Sequence, residues 1–289
     1  MQDGYSTFAG RVSNLRPRQS GYARGVKLPL GAAALAFALA PPPALAEDAV
    51  PDLGAFFPGF RSTLVVRDVG AGRTLRHDPA RGAVRTSPCS TFKIPSSLIG
   101  LETGVIPDAS FVLSWDGVRR PREEWNHDQD LRSAMKHSVV WYYQELARRV
   151  GPERMQKWVS AFHYGNEDVS GGIDRFWLGS TLLISPDEQV DFLARLHAGS
   201  LPLSPRSVAI VKEILLQDAP GPGIAYRGKT GSCQDPGAQQ PHGWWVGSVE
   251  KEGSLFLFAA RIEGPGASGP VCRPMAEKAL AALGVLPAR

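Results

Sequence analysis

Ser90-Thr91-Phe92-Lys93 places a hydroxyl and an amine three residues apart at the start of an apolar run. On a helix that spacing puts both side chains on one face. A serine hydroxyl attacks an acyl centre only when a neighbouring base removes its proton. Lysine can be that base only as the neutral amine, and an exposed lysine titrates near pH ~10.4, so Lys93 must be desolvated. Phe92, Ile94 and a buried helix supply the apolar surroundings. Alone, S-x-x-K equally describes a capped helix start with a surface lysine.

Lys229-Thr230-Gly231 follows Tyr226 at a strand edge. Lys229 and Thr230 offer donors to an anionic substrate group, and Gly231 lets a ligand approach the backbone closely. The same stretch, Gly223 to Thr230, satisfies the phosphate-loop pattern G-x4-G-K-T. That loop must follow a strand and open a helix. Here it follows Pro220-Gly221-Pro222 and precedes Gln234-Asp235-Pro236-Gly237, so nucleotide binding is set aside. Ser138-Val139-Val140 adds a second serine that could relay a proton to a leaving amine. Tyr164-Gly165-Asn166 reads first as a polar turn. The six histidines form no H-E-x-x-H pair, so no metal site is assigned. There is no G-x-S-x-G elbow.

The elements that must position these groups follow from periodicity and punctuation. Thr63 to Asp68 and Arg73 to Leu75 read as strands joined at Gly70-Ala71-Gly72. Ser90 to Thr103 reads as a helix, with Pro95 a local violation in its second turn. Asp130 to Val150, Pro152 to Phe162, Pro186 to Ala198 and Pro205 to Leu216 are further helices, the last two capped by Ser185 and Ser204. Ile224 to Ser232 is a strand. Trp244 to Val249 and Ser254 to Ile262 form a hairpin, and Arg273 to Leu283 closes the chain as a helix. The predicted fold is α/β of the α+β type. An antiparallel sheet of five or more strands is built from both chain ends and flanked by helices, with an inserted all-helical lobe. The sheet lobe spans about 47–89 and 220–289, the helical lobe about 90–219, and a cleft between them is the expected site.

Residues 1–46 read as a signal peptide. Arg11 to Lys27 is basic, Leu28 to Ala40 is apolar but short for a membrane span, and Ala44-Leu45-Ala46 is a small-residue cleavage site. The expectation is a periplasmic or secreted protein without a stable membrane anchor. The first 46 residues hold five basic residues and one acidic one, so the chain's 32 basic and 28 acidic residues become 27 of each in the remaining 243. The basic pI therefore belongs to the leader and gives no reason to expect nucleic acid as a partner. Cys89, Cys233 and Cys272 are too few for a disulfide scaffold. Cys233 and Cys272 are the candidate bridged pair, because both flank residues that must reach one pocket and the compartment is oxidising.

In order, S-T-F-K, S-x-V, Y-G-N, F-W-L (Phe176-Trp177-Leu178) and K-T-G resemble the penicillin-recognising serine enzymes, and among them the class D β-lactamases. The likeness covers about residues 60–285. It implies hydrolysis of the β-lactam amide by a Ser90 acyl-enzyme, with small-molecule β-lactams as substrates and antibiotic resistance as the outcome. Lys93 would be carboxylated by carbon dioxide or bicarbonate to N6-carboxylysine, no other cofactor being needed. In this reading Ser138 shuttles the proton, Val140 keeps the carbamate dry, and Trp177 donates its indole N–H to it. Lys229, Thr230 and Gly231 line the substrate side. The backbone N–H groups of Ser90 and Ser232 form the oxyanion hole, and Arg273 binds carboxylate. The Y-G-N turn is structural in this family. No glutamate near Trp177 is placed as a separate deacylation base, so one group must serve both steps. Two residues depart from the family pattern: Cys89 stands where a smaller or inert residue is usual, and Gly179 where an acidic one is common. A free Cys89 would expose the site to oxidation. The alternatives are a cell-wall transpeptidase or carboxypeptidase and a sensor that acylates and stops, and the short chain disfavours both. Substrate spectrum and oligomeric state are not written in these motifs.

Overall fold

The computed structural model describes residues 51–288, so the leader read over 1–46 lies outside the described residues. Five antiparallel strands form one sheet in the order β2-β1-β5-β4-β3: β1 Arg61–Asp68, β2 Arg73–His77, β3 Ile224–Cys233, β4 His242–Lys251 and β5 Ser254–Glu263. Both chain ends meet where β1 pairs along its whole length with β5, from Arg61 opposite Glu263 to Asp68 opposite Phe256. The β4–β5 hairpin turns on Glu252 and Gly253, both at positive φ, the left-handed pair that a tight hairpin requires.

Strand residues alternate between two cores, as a two-residue period demands. Val65, Trp244, Val246, Leu257 and Ala259 face the helical lobe. Leu64, Val66, Trp245, Phe256 and Phe258 face the other side. That second face is covered by α8 (Gly269–Ala282) and by a 3-10 turn at Leu53–Phe56. The remaining helices are α1 (Pro79–Gly82), α2 (Lys93–Glu102), α3 (Leu131–Lys136), α4 (Val140–Val150), α5 (Pro152–Ala161), α6 (Pro186–His197) and α7 (Pro205–Ile214). Every residue of α2 but Glu102 is buried, so this helix is the axis of the helical lobe. Gly100 permits its close crossing with α4, since a Cβ there would sit 2.8 Å from Leu146 Cδ1.

Three readings of the sequence change. Residues 89–92 form a 3-10 turn and α2 begins at Lys93. Pro95 therefore lies in the first turn of the helix, where its missing N–H has no intrahelical partner to lose. The segment read as one helix from Asp130 to Val150 is two, α3 and α4, broken at His137–Val139 with Ser138 at φ +55°. The closing helix starts four residues earlier than expected, at Gly269, so Arg273 lies inside it.

Candidate active site

The 3-10 turn brings Ser90 and Lys93 together, because residues three apart nearly eclipse in that geometry. Lys93 Nζ lies 2.9 Å from Ser90 Oγ. Lys93 is fully buried, with its ammonium position 5.1 Å from the centre of the Tyr143 ring. Burial drives its pKa well below the ordinary lysine value, and the positive charges of Lys229 and Arg122 push it further the same way. Phe92 packs beside this pair against Trp177 (ring centres 5.6 Å, near-parallel), Phe176 and Tyr164. The Trp177 indole Nε1 is buried and has no hydrogen-bond partner among the described residues. A buried donor left unpaired costs free energy, about 1–3 kcal/mol, so its place in an aromatic pocket calls for an acceptor.

Lys229 occupies the facing strand. Its Nζ is 3.0 Å from Ser138 Oγ, 3.1 Å from the Thr230 carbonyl and 3.4 Å from Thr230 Oγ1. Burial, then Arg122, lowers its pKa to about 7. The left-handed turn at Ser138 is what aims this hydroxyl at Lys229, and a continuous helix would not. Trp125 holds the turn from outside: its Nε1 donates to the His137 carbonyl at 3.0 Å, and its own carbonyl accepts from Trp141 Nε1 at 2.8 Å. Val139 is buried and Val140, the first residue of α4, is half-buried.

Arg273 reaches the same cleft. A cavity of about 380 Å³ is lined by Lys229, Thr230, Trp245 and Arg273, with Met135 and Gln217 beside them. The guanidinium lies 4.6 Å over the Trp245 ring, donates to Gln217 Oε1 at 2.7 Å and pairs with Glu277 at 2.8 Å. Ser232 Oγ accepts from the Gly269 N–H at 2.7 Å, so the side chain of Ser232 caps the helix that carries Arg273. Gly231 has a reason beyond ligand approach: a Cβ there would meet the Pro88 carbonyl at 2.8 Å, so the nucleophile's turn packs directly on β3. The phosphate-loop pattern is strand over Ile224–Thr230 and opens no helix, which excludes that reading.

The disulfide expectation is overturned. Cys89 bonds to Cys233, with Cα atoms 5.9 Å apart, and Cys272 is a free, buried thiol. The reason is the sheet itself: Cys272 lies in the core under α8, whereas Cys89 and Cys233 belong to the helical-lobe side. Cys89 is therefore not a free thiol beside the nucleophile.

Two positioning residues, Ser87 and Gln189, were not read from the sequence. Buried Ser87 joins four segments: its carbonyl accepts from Trp244 Nε1 and lies 2.9 Å from His242 Nε2, its hydroxyl donates to the Trp177 carbonyl, and its N–H reaches Asp235. Gln189 of α6 donates to Thr91 Oγ1 at 2.8 Å. Asn166 pins the segment after Trp177 through the Thr181 carbonyl and the Leu183 N–H. Gly179 is at φ +65° with the Gln234 carbonyl 2.3 Å from where a Cβ would be, so an acidic side chain does not fit there. Ser87 and Gln189 carry no periodic or motif signal; the Ser87–Trp177–Gly179 links join residues about ninety positions apart.

Comparison with known proteins gives the class first. Residues 82–281 match the penicillin binding protein transpeptidase domain, the family to which the chain belongs. Within it the chain is a member of the class D β-lactamases, and so a serine β-lactamase-type hydrolase. It is 42% identical over 205 residues to a probable β-lactamase, YbxI, of Bacillus subtilis, covering 71% of this chain and 75% of that protein. It is 46% identical over 182 residues to the β-lactamase OXA-48 of Klebsiella pneumoniae, covering 63% and 68%. The crystal structure of a class D enzyme, YbXI from Nostoc, superposes with a TM-score of 0.78 at 36% identity over 82% of this chain and all of that one. Among the described residues no helix is long and apolar enough to cross a membrane.

Proposed function

We propose that the protein hydrolyses β-lactam antibiotics through a Ser90 acyl-enzyme, with carboxylated Lys93 as the base for both acylation and deacylation, and so confers resistance to them. The observation that carries the reading is a fully buried Lys93 Nζ at 2.9 Å from Ser90 Oγ. The residues fit a carboxylated lysine: an amine kept neutral by burial, aromatic walls, and an unpartnered indole N–H at Trp177. Carbon dioxide bound to that amine supplies an anionic oxygen base. Everything else falls to the chain's own groups.

Ser90 Oγ attacks the lactam carbonyl as its proton passes toward the Lys93 side chain. The ring C–N bond breaks, and Ser138 delivers a proton to the departing nitrogen. Lys229, 3.0 Å from Ser138 Oγ, favours the oxygen's anionic form during that relay. Thr230 and Arg273 line the side of the cleft that receives the substrate carboxylate. Water then attacks the ester carbonyl as its proton passes to the same base, the acyl C–O bond to Ser90 breaks, and that proton returns to Ser90 Oγ. Trp177 and the apolar wall around Phe92 keep bulk water from Lys93.

Turnover of a chromogenic cephalosporin and a penicillin, with mass spectrometry of Ser90, tests this. Multiple turnovers with a transient Ser90 adduct support it. A permanent adduct marks a sensor, and release of D-alanine from a peptide without lactam turnover marks a carboxypeptidase. We also propose export, with cleavage near Ala46; the Cys89–Cys233 disulfide suits an oxidising compartment. Secreted protein whose first residue lies near Glu47 supports this, and protein retaining residues 30–40 contradicts it.

A further inference from the structure

We propose that the Cys89–Cys233 disulfide is a positioning device for the oxyanion hole, so that acylation of Ser90 depends on its oxidation state. The inference rests on the hydrolase reading above. Cys89 directly precedes Ser90, and Cys233 directly follows Ser232. The two backbone N–H groups assigned to the oxyanion hole are thus each one residue from a half-cystine, although 144 positions separate the cysteines in the chain. Two donors stabilise one developing oxyanion only when both lie about 2.7–3.1 Å from it. Such a constellation tolerates errors of roughly 0.5 Å.

Hydrogen bonds between Ser87 and Asp235, His242 and Trp244 tie the segment before Cys89 to the end of the sheet, but they act three residues away from Ser90. β3 is the edge strand of the sheet, bridged on its outer side by Leu216 opposite Arg227, well before Ser232, and Cys233 opposite His242 is its last rung with β4. On the other side Cys89 sits at φ +51°, a conformation that residues other than glycine rarely adopt, and leads straight into the 3-10 turn of Ser90. Packing of Gly231 on the Pro88 carbonyl orients the two segments. The disulfide joins them covalently, at the residues directly adjoining Ser90 and Ser232. Cys89 is buried and Cys233 half-buried, so an attacking thiolate reaches the pair from the Cys233 side. His242 Nε2 lies 3.3 Å from one sulfur and 3.8 Å from the other.

The reaction that opens the clamp is thiol–disulfide exchange with a dithiol. The S–S bond takes up two electrons and two protons and becomes two thiols, and the dithiol becomes its cyclic disulfide. Oxidation by a disulfide reverses it. The test is titration of the folded protein with dithiothreitol, counting alkylated thiols and measuring the single-turnover acylation rate and the substrate dissociation constant together. Circular dichroism and cooperative unfolding follow the fold throughout. The expected result is a fall in acylation rate of about 10- to 100-fold as the thiol count rises from one to three, with much less change in substrate affinity, restored on reoxidation. The double substitution Cys89→Ser, Cys233→Ser reproduces the fall without a reductant. A folded three-thiol protein that acylates at the oxidised rate overturns the inference. Loss of the fold itself on reduction and in the double variant also overturns it, since the bond is then a general staple. If the fully oxidised protein is not acylated at all, the hydrolase reading fails, and this inference with it.

Discussion

The molecule buries two lysines within one cleft and treats them differently. Around Lys93 the neighbours are Ser90 Oγ, the Tyr143 ring and the aromatic wall of Phe92 and Trp177. Around Lys229 they are three oxygens, of Ser138 and Thr230, in a cleft that also holds Arg273. Burial lowers both pKa values, Lys229 to about 7 and Lys93 well below its ordinary range, with Lys229 itself adding to the pressure on Lys93. In the proposed mechanism Lys93 is the amine that burial disposes toward the neutral, carboxylatable form. The other keeps access to its charge near neutral pH, where an anionic substrate needs it. Position relative to oxygen, more than burial alone, divides the roles.

The largest effect expected is on the nucleophile between the two regions. Ser90→Ala removes turnover by on the order of 10⁵-fold or more while stability changes by no more than about 1 kcal/mol. Steady-state hydrolysis and thermal unfolding check both halves. Next, Lys93→Ala breaks the dry side of the comparison. Deacylation slows by about 10²- to 10⁴-fold, and a Ser90 adduct accumulates that mass spectrometry detects if acylation survives. Trp177→Phe is the sharper variant, because it keeps an aromatic side chain in the pocket while removing the N–H. Losing one charge-assisted hydrogen bond costs about 1.5–3 kcal/mol, so activity in air-equilibrated buffer falls roughly 10- to 100-fold and added bicarbonate restores it.

The smallest effect belongs to the wet side. A lysine whose pKa is lowered to about 7 is charged below that pH and neutral above it. Its attraction for a substrate carboxylate is therefore present at low pH and lost as pH rises through 7. Lys229→Arg stays charged, so kcat/KM for an anionic penicillin should lose a few-fold alkaline decline measured between about pH 6 and 9. An unchanged profile would show that the carboxylate is held by Arg273 and Thr230.

How much of this was legible depended on whether the signal was local. The sheet built from both ends, the helical insert and the Ser90–Lys93 pairing follow from two- and three-residue periodicity, turn residues and one motif. Ser138 shows the limit. Nothing at His137-Ser138-Val139 marks a break, no glycine and no proline, so the segment reads as continuous helix. Tertiary contacts through Trp125 and Trp141 hold a left-handed serine that local propensity disfavours. The disulfide failed for a similar reason. Cys233 and Cys272 flank residues of one pocket, but they lie on opposite faces of a sheet, and facing is a property of register across β3 and β4. Pro95 breaks no helix rule once the helix begins at Lys93.

The central claim is that Lys93 works as a carbamate, and carbon-13 NMR of the active enzyme with labelled bicarbonate tests it most directly. The account predicts one carbamate resonance that disappears in Lys93→Ala, weakens in Trp177→Phe and fades together with activity as the pH is lowered. A fully active enzyme that shows no carbamate signal and does not respond to bicarbonate would contradict it, leaving Lys93 to act as a simple amine.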